Sequence, residues 1–102
     1  MTRVVNLNKE AYNEYIGRGS KWGNPYTHIN DRATLASFIV PTREEAIEAY
    51  RGYLLSNKEL MDSLFELDGK VLGCFCKPKS CHGDIIIEVL NRLKLLRFLN
   101  KQ

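Results

Sequence analysis

Eleven residues, Cys74-Phe-Cys-Lys-Pro-Lys-Ser-Cys-His-Gly-Asp84, constrain the fold of this chain more than any other segment. They hold all three cysteines and one of the two histidines. An apolar run (Val71, Leu72) leads in, and another (Ile85, Ile86, Ile87) leads out. Strand, tight polar loop and helix start is the order in which α/β proteins place ligands, at strand C-termini and helix N-termini. Alternation along the strand puts Leu72, Cys74 and Cys76 on one face, with Val71, Gly73 and Phe75 on the other.

The remaining elements follow from periodicity and caps. Arg3 to Leu7 reads as a first strand and Tyr15 to Gly17 as a short second one. Gly17 to about Val40 is rich in glycine, proline, asparagine and aspartate and reads as a long loop, a length usually tied to function in so small a domain. Thr42-Arg-Glu-Glu45 is a capping box, followed by Ala46, Ile47, Ala49, Tyr50, Tyr53 and Leu54 on one helical face. Ser56-Asn-Lys-Glu59 repeats the capping pattern ahead of Leu60, Met61, Leu64 and Phe65. Asp68-Gly69 is a turn into the cysteine-bearing strand. The last helix starts near Gly83 or Asp84 and runs almost to the end. The expectation is an α/β fold: a single small domain over residues 1–102, with a short, mostly parallel sheet, about three helices, and the first and third strands as parallel neighbours.

Composition narrows the setting. At 102 residues the chain supports one core, and 44% hydrophobic with 26% charged residues fits an ordered globule. No run reaches the roughly 18 apolar residues of a membrane span, and no signal peptide is read at the N-terminus. Three clustered cysteines do not form a secreted disulfide framework, so the expected location is intracellular: cytoplasmic, and the host cytoplasm if the chain is viral. A net charge of +3 permits an anionic partner without requiring one.

The cysteine–histidine loop admits three chemistries. Cys74, Cys76, Cys81 and His82 are the ligand types zinc prefers, but Cys-x-Cys followed by an adjacent Cys-His departs from the usual ligand spacing, so no metal and no cofactor is expected. A thiol at a helix N-terminus, as Cys81 is, has a stabilised thiolate, with Cys76 facing it from the strand end; a Cys74–Cys81 or Cys76–Cys81 disulfide stays open. The plainer account makes Cys74 a small buried hydrophobe, His82 a helix cap or carbonyl partner, and Asp84 a favourable charge in the first helical turn. The same Asp84 carboxylate suits a ribose hydroxyl or general-base work. His82, Asp84 and Cys81 are the candidate catalytic residues.

A second cluster, Tyr15-Ile-Gly-Arg-Gly-Ser-Lys-Trp-Gly-Asn-Pro-Tyr26, combines glycines, two cations, an amide and the only tryptophan. Glycines let backbone N–H groups approach a ligand, arginine and lysine suit phosphate, and tryptophan stacks on a base. Neither standard phosphate-loop pattern matches. Arg18, Lys21, Trp22, Asn24 and Cys76 are therefore the candidate ligand-binding residues. The competing account has Trp22 plugging the core above a Gly23-Asn-Pro25 turn.

Together the two clusters resemble an uncharacterised phage and bacterial domain-of-unknown-function family, with I-G-R-x-x-x-W-G-N-P early and C-x-C-x-P-x-x-C-H-(G or A)-D late. The resemblance spans roughly residues 3 to 91. It implies a viral origin and supports the fold and the site's location, and it carries over no catalytic residues. The Leu-x-Cys…Cys-His segment alone is similar to another uncharacterised α/β family suspected of nucleotide-related roles.

Three functions compete. The first is binding of a nucleotide or related phosphorylated small molecule, with action on it left open. The second is a small interaction factor that meets a host protein and whose motifs are structural. The third, less favoured, is single-stranded nucleic-acid binding through Arg18, Lys21, Trp22, Tyr26 and Arg32.

Overall fold

Leu72, Gly73 and Cys74 are buried in succession, as expected of a central strand covered on both faces. In this computed structural model, which describes residues 2–27 and 38–100, β5 (Val71–Cys74) lies between β1 (Arg3–Asn6) and β2 (Glu14–Tyr15). Both pairings are parallel, with Val4 opposite Leu72 and Tyr15 opposite Gly73. All three strands thus end on the same side. The second strand sits a residue or two earlier than the sequence suggests.

Within the long loop the structure places two strands of two residues each, β3 (Tyr26–Thr27) and β4 (Phe38–Ile39), which pair parallel to each other. The loop reading missed them. Arg32, named for nucleic-acid contact, lies outside the described residues.

The helices follow their caps. α1 (Arg43–Ser56) is capped by Thr42, whose hydroxyl accepts from the Glu45 N–H at 3.1 Å. α2 (Lys58–Ser63) takes Asn57 as its cap, not Ser56: Asn57 Oδ1 accepts from the Leu60 N–H, while the Ser56 hydroxyl turns back to the Gly52 carbonyl. A 3-10 turn over Leu64–Leu67 continues α2. α3 (His82–Asn100) starts one residue ahead of the expected boundary. Tyr50 and Leu54 of α1, Leu64 and Leu67, Leu72 of β5, and Ile86 and Leu90 of α3 form one core. Arg51 on α1 pairs with Glu88 on α3 across the outer edge of that contact. The fold is α/β, a three-stranded parallel sheet with helices packed against it.

Candidate functional site

Where β2 and β5 end, the chain leaves a cavity of about 340 Å³. Its wall is built from four pieces: the end of β5 and the loop after it, the first turn of α3, the Tyr15–Thr27 segment, and the first turns of α1. This is where parallel α/β sheets place their ligands. Arg18, Asn24, Cys76, Cys81 and His82 all line it. Lys21, Trp22 and Asp84 do not.

The cysteine loop is held by its neighbours. The Asn6 side chain, at the end of β1, donates to the Lys77 carbonyl at 2.7 Å. The Cys81 N–H donates to Asp84 Oδ2 at 3.2 Å, the reach-back half of a capping box at the start of α3. Lys77 Nζ pairs with the other Asp84 oxygen at 2.5 Å. Asp84 is thus engaged on both oxygens.

Three thiols share this corner, and their protonation differs. Hydrogen bonding with Cys74 holds Cys81 below the usual thiol value, helped by the Gly83 N–H and opposed by burial. Cys74 moves up: contact with Cys76 pulls it down, but Cys81 and burial outweigh that. Cys76 is pushed up most strongly, by Cys74 and then by burial, with Arg43 working in the opposite direction. Cys81 is therefore the first of the three to ionise.

His82 is buried, and its Nε2 donates to the Ile16 carbonyl at 2.7 Å, with the ring set edge-on to Tyr50. Burial lowers its pKa, against the favourable carbonyls of Ile16 and Trp22. It ties the last helix to the glycine–tryptophan loop. That loop is fixed from within: Arg18 donates through Nη1 to the Asn24 carbonyl and through Nη2 to the Tyr26 carbonyl at 2.9 Å. Asn24, also buried, donates to the Ala46 carbonyl of α1 at 3.0 Å and accepts from the Tyr26 N–H.

The aromatic and the lysine sit elsewhere. Trp22 is only 3% exposed and belongs to the core, where its carbonyl accepts from the Tyr50 hydroxyl at 2.8 Å. Lys21 lies over the Trp22 ring on the outside and pairs with Glu66 at 3.6 Å. Of the two accounts of Trp22, core plug and stacking platform, its placement matches the first.

Sequence reasoning passed over Arg43, Tyr15 and Phe75, which all line the cavity. Arg43 was hidden inside a capping box, where it read as a helix residue. Phe75 is 61% exposed and meets Tyr15 edge-on at 6.2 Å, which puts an open aromatic surface at the cavity wall. The wall holds two guanidinium groups and, among the described residues, no carboxylate. No cluster of three or more metal-ligating side chains is found among the described residues, and no helix there is long and apolar enough to cross a membrane.

Comparison with known proteins gives a family and no activity. Residues 2–92 match the Domain of unknown function (DUF4326), and the chain belongs to that family. It is 38% identical over 97 residues to an "Uncharacterized 12.4 kDa protein in nrdA-td intergenic region" of Enterobacteria phage T4, covering 91% of this chain and 81% of that protein. No solved structure matches.

Proposed function

We propose that this phage-related family member binds a nucleotide or a related phosphorylated small molecule in the cavity beneath Arg18 and Arg43. One observation carries the reading: two arginines from segments distant in sequence line one concave site whose wall, among the described residues, holds no carboxylate. Guanidinium groups in that setting favour a polyanionic, fork-accepting group such as phosphate. The N-terminus of α3, beside Cys81 and His82, adds its dipole on the same wall. A volume of about 340 Å³ is at the lower end of small-molecule sites and suits a mononucleotide better than a dinucleotide. The exposed Phe75 ring, braced by Tyr15, offers the stacking face that Trp22 in the core does not. Of the groups suited to chemistry, Asp84 is held by Lys77 and His82 by Ile16. Cys81 is the one with a reactive form to spare.

A thermal-shift panel of nucleoside mono-, di- and triphosphates, nucleotide sugars and inorganic phosphate tests the reading. A saturable rise in melting temperature with one class, lost in Arg43→Ala, supports it. No rise with any of them contradicts it.

A second reading, a small interaction factor for a host protein, draws on the end of α3. There Leu95, Leu96, Phe98 and Leu99 are each at least half exposed. Nucleic-acid binding gains less support, because Trp22 is in the core and Tyr26 is stacked on Phe38.

A further inference from the structure

Among the three thiols, one pair stands apart by distance. Cys74 Sγ and Cys81 Sγ lie 3.3 Å apart, one at the end of β5 and the other at the start of α3, and both are free. Both residues also line the cavity, and both are almost fully shielded from bulk solvent. Their surroundings are unequal. The two sulfurs share a hydrogen bond in which either can donate; that contact and the Gly83 N–H hold the Cys81 thiol below its usual value, while Cys74 is held above its own. An attacking thiolate beside a thiol that keeps its proton until it is needed is the arrangement of a two-cysteine redox pair. Cys76, the least buried of the three, is influenced by both Cys74 and Arg43.

We infer that Cys81 and Cys74 form an oxidisable dithiol in the cavity wall, a site at which a hydroperoxide converts the pair to a disulfide. The Cys81 thiolate attacks the terminal peroxide oxygen, the O–O bond breaks, and the departing hydroxide or alkoxide takes up a proton. That leaves a sulfenic acid on Cys81. The Cys74 sulfur then loses its proton and attacks the Cys81 sulfur; the S–O bond breaks and water leaves. The two cysteines together lose two electrons and the peroxide gains them. This chemistry is independent of whether the cavity also binds a phosphorylated ligand.

Peptide mapping of the intact protein tests it. The reduced protein is treated with hydrogen peroxide, free thiols are blocked with iodoacetamide, and trypsin is added. Cys74 and Cys76 then lie on one peptide, Val71 to Lys79, and Cys81 on the next, Ser80 to Arg92. The expected product is a cross-link between these peptides that fragmentation assigns to Cys74, with the blocking group on Cys76. The Cys76→Ser variant keeps the cross-link. In Cys74→Ser, Cys81 proceeds to sulfinic acid without one. A link assigned to Cys76 overturns the inference, and so does a Cys81 that remains blocked by iodoacetamide after peroxide treatment. The assignments on the wild-type chain and on Cys76→Ser decide the matter even if Cys74→Ser does not fold.

Discussion

His82 Nε2 donates to the carbonyl of Ile16 at 2.7 Å, joining residues 66 positions apart. Two constraints follow. The imidazole is neutral where it is buried, and the loop carrying Arg18 is set by the first turn of α3. Burial holds the His82 pKa below its ordinary 6.5. Between the two values the unfolded chain binds more protons than the folded one, so stability rises with pH there. It is lost as pH falls below about 6.5 toward the folded value. Melting curves from about pH 7.5 to about 5.5 are expected to show a fall that His82→Gln removes. The variant His82→Ala, which leaves the Ile16 carbonyl unpaired, is expected to cost about 1–3 kcal/mol in urea unfolding.

Arg43 and Arg18 are expected to separate binding from folding. Arg43 is a cation in the first turn of α1, where the helix dipole disfavours it by about 0.3–1 kcal/mol. Arg43→Ala therefore leaves stability unchanged or slightly higher while weakening the phosphorylated ligand. Arg18→Ala removes two hydrogen bonds that hold the loop carbonyls and costs about 1.5–3 kcal/mol as well as binding. Urea unfolding alongside ligand titration distinguishes the two.

Gly23 packs against backbone. A Cβ there meets the Gly17 carbonyl oxygen at 2.8 Å and the Arg18 Cα at 3.1 Å, and neither gives way without moving the loop. Gly23→Ala is expected to destabilise by about 1–3 kcal/mol. Gly52, inside α1, has nothing within 4 Å of the same position, so Gly52→Ala should stabilise by about 0.5–1 kcal/mol. Midpoints of thermal unfolding moving in opposite directions check the pair.

Trp22 is expected to act through stability. Removing the ring in Trp22→Ala costs about 3–5 kcal/mol, a large share of the roughly 5–15 kcal/mol available to a domain. The milder Trp22→Phe keeps the fold and leaves ligand affinity unchanged, because the ring does not line the cavity. A matched loss of affinity in isothermal titration would contradict this placement.

What the sequence reveals depends on whether the signal is local. The Thr42 cap, the apolar face after it, and the buried strand ahead of the cysteines are local patterns, and each becomes an element at nearly the expected place. Ser56 and Asn57 are both good caps, and only the geometry of the turn selects Asn57. β3 and β4 are two residues long, too short to show a period of two. The two clusters were legible as a site because cysteines, a histidine and a tryptophan are unusual among loop residues. Their division of labour was not, since a tryptophan among glycines fits a core as well as a ligand. Arg43 joins the cavity only through the docking of α1, which no local pattern encodes.

Amide chemical-shift mapping with a nucleoside monophosphate, AMP as the first probe, tests the central claim most directly. The account predicts saturable shifts that cluster at Gly17–Arg18, Asn24, Arg43–Ile47, Cys74–Cys76 and Ser80–His82, and that weaken in Arg43→Ala. Shifts confined to the end of α3 or to the Lys21–Glu66 face, or no saturable shifts with any nucleoside monophosphate, would contradict it.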